Sequence, residues 1–127
     1  MDRLFWICVG GAVGSGARYL VSGWAAQALG TGFPYGTLVV NVTGSFALAG
    51  IMHVGLATEL LSPTLRITLA TGVLGGFTTY STFSYETFRY LQEGAIWMAS
   101  LNVVVTLVAC LVGCVLGFTL ARAAVGG

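Results

Sequence analysis

Residues 72–84, Gly-Val-Leu-Gly-Gly-Phe-Thr-Thr-Tyr-Ser-Thr-Phe-Ser, place three glycines and six hydroxyl side chains inside an apolar run long enough to cross a bilayer. In hydrocarbon each unpaired backbone group costs several kcal/mol, so such an interruption persists only where protein buries it or where it lines a polar path. The segment therefore predicts a broken membrane helix at which something polar, an ion first of all, is handled. Composition agrees: 57% of the 127 residues are hydrophobic, 7% are charged and none is lysine, against roughly 25% charged in a soluble domain. Mean hydropathy is +0.92. A net charge of +1 points to neither nucleic acid nor an acidic partner.

Apolar stretches of about 20 residues or more mark four spans: residues 4–29, 37–57, 67–91 and 95–120. Short connections separate them, with Gly30, Pro34 and Gly36, then Ser62 and Pro63, then Gly94 as punctuation. The expectation is an all-α membrane protein, residues 1–127 forming a single four-span domain with its third helix broken near Gly75–Thr79. The first run continues past the length of a signal sequence and holds Arg18, so it reads as a retained helix. Cys8, Cys110 and Cys114 are odd in number and lie in apolar runs, which suits small buried hydrophobes and no disulfide framework. Gly10/Gly14, Gly72/Gly76 and Gly113/Gly117 each put two small residues on one helical face, which suits close packing and self-association.

Arginine placement sets orientation weakly. Arg3, Arg66 and Arg122 fall on one side of the membrane, Arg89 and Arg18 on the other. If all five count, the chain inserts either way and two opposed copies can pair. If Arg18 is a site residue, a three-to-one bias remains. Both readings stand.

Polar groups inside the spans are the better guide to chemistry. Arg18 lies well inside the first span and needs an acceptor, an anion or a route to the interface. Asn41 opens the second span with Ser45 one turn on, and its amide suits either an anion or a neighbouring helix. Asn102, Thr106 and Cys110 follow at four-residue steps, about 6 Å apart along one side of the fourth span, with Cys114 beyond. Ser81, Thr82 and Ser84 add hydroxyls after the break. Tyr80 and Phe83 share a face there, where aromatic edges carry partial positive charge. No carboxylate accompanies this set, so it favours an anion that accepts hydrogen bonds. Glu86, Arg89 and Glu93 have the spacing of a solvated, salt-bridged helix end. His53 has no second ligand spaced for a metal and reads as a packed or interfacial residue.

Gly-Gly-Ala-Val-Gly-Ser-Gly-Ala-Arg-Tyr ending at Tyr19, Gly-Thr-Leu-Val-Val-Asn from Gly36, and the run from Thr71 to Ser84 together resemble the Fluc (CrcB-type) fluoride channels of bacteria, over essentially the whole chain. The resemblance implies a passive, fluoride-selective channel of the inner membrane, an antiparallel dual-topology homodimer with two pores, driven outward by the membrane potential and embedded in lipid. It implies a fluoride path along Asn41, Tyr80, Ser81, Thr82, Phe83 and Thr106, with Asn102 and Cys110 on the polar rail and Arg18 near the vestibule. It also implies a central structural sodium ion held by the main-chain carbonyls of Gly75 and Thr78 of both subunits. Tyr80 departs from the usual phenylalanine of that family, and of the rail only Thr106 keeps a hydroxyl.

Two other classes fit less well. A small multidrug exporter has this size and span count, but its proton coupling needs a carboxylate within the first span, where Arg18 stands and the only nearby acid is Asp2. An intramembrane hydrolase would need Ser81 or Ser84 activated by His53 from another span, and no nucleophile elbow is present. The sequence is not that of an enzyme.

Overall fold

Long apolar stretches that leave no backbone group free can only coil on themselves in a bilayer, and the computed structural model, which describes residues 2–127, is helical almost throughout. Its elements are α1 (Asp2–Leu29), α2 (Tyr35–Ala57), α3 (Pro63–Ile67), a π-helical segment (Thr68–Leu74), α4 (Gly75–Phe77), α5 (Tyr80–Gln92) and α6 (Ile96–Val125). Three of them, α1, α2 and α6, are apolar and long enough to span a membrane by themselves. The expected third span is discontinuous. Residues 63–77 run as one helical rod through the π segment, Thr78 and Thr79 are extended, and α5 starts afresh.

Local chemistry accounts for these boundaries. Ser62 caps α3, accepting from the Leu65 N–H at 3.1 Å, with Pro63 at the first helical position where its missing donor costs nothing. Gly30 and Gly94 follow α1 and α5 at φ +90° and +76°, the left-handed conformation that closes a helix most easily with glycine. The interruption falls at Thr78–Thr79, inside the window read from the sequence.

α2 packs chiefly on α6, and α1 packs on the π segment and α4. Small residues make both contacts. A Cβ on Gly14 would strike the carbonyl of Val73, one on Gly76 would come within 2.6 Å of the carbonyl of Gly11, and one on Gly117 would strike the carbonyl of Phe46. The paired-glycine faces expected to serve self-association are therefore consumed within one chain, Gly10/Gly14 against Gly72/Gly76 and Gly113/Gly117 against α2.

Among the described residues only Ala25, Val40, Phe83 and Ala99 are buried apolar side chains, while Trp24, Leu111 and most other large ones face outward. Lipid tails are as apolar as leucine, so helices here gain from close backbone packing rather than from hiding side chains.

Candidate functional site in the broken third span

Breaking a helix removes four consecutive hydrogen bonds, and the groups set free define the site. The Thr78 N–H still reaches the carbonyl of Leu74 at 3.0 Å. From Thr79 onward the donors turn elsewhere. The Thr79 N–H donates to Asn41 Oδ1 at 2.8 Å, and Asn41 Nδ2 donates back to the carbonyl of Thr79 at 3.0 Å. The amide of α2 thus pairs with both backbone groups of one residue at the break. The Thr82 N–H donates to Thr79 Oγ1 at 3.2 Å, so Thr79 also caps α5.

The carbonyls of Gly75, Gly76, Phe77 and Thr78 lose their usual donors. Gly76 recovers one, because Arg18 Nε of α1 donates to it at 3.0 Å. Gly75, Phe77 and Thr78 receive none. Arg18 and Asn41 therefore splint the break from either side and leave three carbonyl oxygens free.

Two hollows meet this region. A cleft of about 310 Å³ is bordered by Asn41, Thr78, Tyr80, Phe83, Thr106 and Cys110, with Gly75 and Ser45 also on its wall and no charged side chain. A wider, open vestibule of about 1080 Å³ holds Arg18, Thr37, Thr82, Glu86 and Arg89. Thr37, Asn41 and Ser45 recur every four residues on α2, so one helix face runs from the vestibule into the cleft.

The residues singled out from the sequence divide accordingly. Asn41, Tyr80, Phe83, Thr106 and Cys110 come together on the cleft, as do Gly75 and Thr78. Arg18 and Thr82 open on the vestibule. Ser81 is exposed and borders neither hollow. Phe83 is buried, but Tyr80 is 79% exposed on the single chain, its ring 5.9 Å from that of Phe83 and tilted 48° to it. Asn102 borders neither hollow; it is 1% exposed and donates to Thr87 Oγ1 at 2.9 Å.

For Asn41 the sequence leaves open an anion donor or an interhelical bond. The second role is met by Thr79, and because Oδ1 is occupied by a donor, the group left for the cleft is the remaining N–H. Glu86 corrects the expected salt-bridged end. Arg89 Nη2 and Glu93 Oε2 lie 3.5 Å apart at the surface, whereas Glu86 turns to the vestibule with Oε1 buried and unpaired. Residue pattern alone also missed Thr79, Thr37 and Thr87: Thr79 is one hydroxyl among several at the break, and a single threonine such as Thr37 or Thr87 carries no spacing signal. His53 packs edge-on against Phe118 and pairs with the carbonyl of Gly126 at 2.8 Å, in keeping with the packed role.

The profile of the CrcB-like protein family, Camphor Resistance (CrcB), matches residues 5–118. A protein of Sorangium cellulosum named fluoride-specific ion channel FluC is 54% identical over 128 residues, covering all of both chains. Proteins of the same name from Anaeromyxobacter sp. strain K and Geobacter sulfurreducens are 55% and 50% identical, covering 88% and 96% of this chain and 89% and 98% of their own. With the match extending over nearly its whole length and through the broken span, the chain belongs to the CrcB-like protein family.

Proposed function

We propose that the protein is a fluoride-selective channel of the bacterial inner membrane that lets fluoride leave the cytoplasm passively, and that it is not an enzyme. The observation that carries this is the cleft. Its wall offers an amide N–H, hydroxyls and the rings of Tyr80 and Phe83, and no carboxylate that would repel an anion or hold a cation. Dehydrated fluoride is a small, strong hydrogen-bond acceptor, and a narrow path that replaces its water with fixed donors discriminates against larger chloride. An inside-negative potential drives the anion outward with about 2.3 kcal/mol per charge per 100 mV, so no energy source is needed. The names carried by the relatives at 50–55% identity point the same way.

The functional unit is an antiparallel dual-topology homodimer with two pores. Tyr80 and Gly75 are exposed on one chain although they border the cleft, which supports a wall completed by a second copy. The free carbonyls of Gly75 and Thr78 fit a sodium ion, a hard cation that takes neutral oxygens, and no group of His, Cys, Asp or Glu among the described residues competes for a metal. Bound there, sodium would satisfy carbonyls otherwise orphaned in hydrocarbon and join the two breaks. Arg18 and Asn41 hold the surrounding backbone in the shape that presents those oxygens.

Purified protein in liposomes loaded with fluoride or chloride tests the reading. Rapid fluoride efflux with chloride retained is expected; comparable chloride flux overturns it.

A further inference from the structure

α5 is lightly held. Phe83 is the only buried residue among its thirteen, and the helix follows two extended residues of which Thr79 is tied to Asn41 and caps its first turn. One polar chain, buried at Asn102 and Thr106, ties its second turn to α6. Thr106 Oγ1 donates to Asn102 Oδ1 at 3.3 Å, Asn102 Nδ2 donates to Thr87 Oγ1 at 2.9 Å, and Thr87 Oγ1 donates to the carbonyl of Phe83 at 2.9 Å.

The direction of this chain follows from its members. A threonine hydroxyl has one proton and two lone pairs. With the proton of Thr87 given to Phe83, only its lone pairs face Asn102, which must then present its NH₂ to Thr87 and its oxygen to Thr106. A fully buried amide has no water to turn to, so the alternative is an unpaired group in an apolar surrounding. Thr87 lies one turn after Phe83 on the same face. Its bond to the Phe83 carbonyl is of the kind that tilts a helix locally, and it acts on the turn that carries Phe83 and Tyr80.

We propose that Thr87, held by the buried amide of Asn102, is a positioning residue that sets the orientation of the Phe83 ring on the cleft. On this assignment Asn102 acts through α5, and fluoride does not touch it. The inference uses the channel reading for its functional consequence but not for its geometry.

The test incorporates a fluorinated phenylalanine at position 83, with the protein in fluoride-free buffer, and follows its ¹⁹F resonance beside fluoride flux and thermal stability. Thr87→Val keeps the shape and deletes the hydroxyl; it is expected to shift or broaden the resonance and to lower flux about tenfold, the equivalent of one buried hydrogen bond. Thr87→Ser restores both. The double variant Thr87→Val/Asn102→Leu removes the amide that Thr87→Val alone would orphan, the Thr106 hydroxyl turning instead to the main-chain carbonyl of residue 102 one turn back, and it decides the matter if Thr87→Val alone does not fold. It is expected to regain stability while its resonance stays displaced and its flux stays low. A wild-type resonance and flux in either Thr87→Val or the double variant overturns the positioning role. Absence of fluoride flux in the unmodified protein would sink the channel reading, and the resonance comparison would still decide the role of Thr87.

Discussion

Asn41 shows how one side chain can serve two purposes. Its oxygen and one N–H pair with Thr79, which fixes the amide against flipping, since a flip would set NH₂ against the Thr79 N–H. Only a donor is then left facing the cleft. Asn41→Asp keeps the size and the acceptor but sets a second oxygen against the Thr79 carbonyl and removes the donor. Fluoride flux is expected to fall by on the order of a hundredfold, about 3 kcal/mol, with the elution volume on size exclusion unchanged; unchanged flux would take Asn41 off the path. Asn41 stands out in the sequence as the one amide of its span, and Phe83 as an aromatic sharing a face with Tyr80 just after the glycine break. Thr79 was not legible as a pivot. Its part is played mainly by its backbone, through a partner 38 residues away, and no local pattern records such a bond.

At the scale of elements, glycine placement decides which helices can touch. Gly14 sits against the carbonyl of Val73, whereas Gly16, half a turn away, has nothing within 4 Å. Gly14→Val therefore forces α1 off the third span, which is expected to cost about 1–3 kcal/mol or more and to lower the unfolding temperature measurably. Gly16→Ala is expected to be neutral or slightly stabilising, because alanine favours the helix over glycine by about 1 kcal/mol. Equal destabilisation by the two changes would remove close packing as the cause. The break could be read in advance from glycines and hydroxyls clustered in an apolar run. The π-helical segment Thr68–Leu74 could not: an extra residue per turn over seven residues leaves too little periodicity to notice, and it arises where the third span meets Gly10 of α1.

For the whole molecule, orientation rests on few charges. Arg18 donates to Gly76 inside the protein, so it belongs to the site rather than to a loop, and Arg3, Arg66 and Arg122 stand against Arg89 alone. That margin is small. Two lysines added after Arg3 should drive every copy into one orientation, leaving no opposed partner and little flux. Co-expression with a variant carrying lysines near Gln92 should restore it. Full activity from a single variant of fixed orientation, verified by cysteine labelling from one side, would rule out the antiparallel assembly.

Sparse interior packing has a thermodynamic consequence. Four buried apolar side chains among the described residues mean that separating the helices within a lipid or detergent phase exposes almost no new hydrocarbon to water. The heat-capacity increment that bends the stability curve of a water-soluble protein comes from that exposure. The stability of this chain should therefore decline along a nearly straight line with temperature, without a maximum near room temperature and without a cold-unfolding limb.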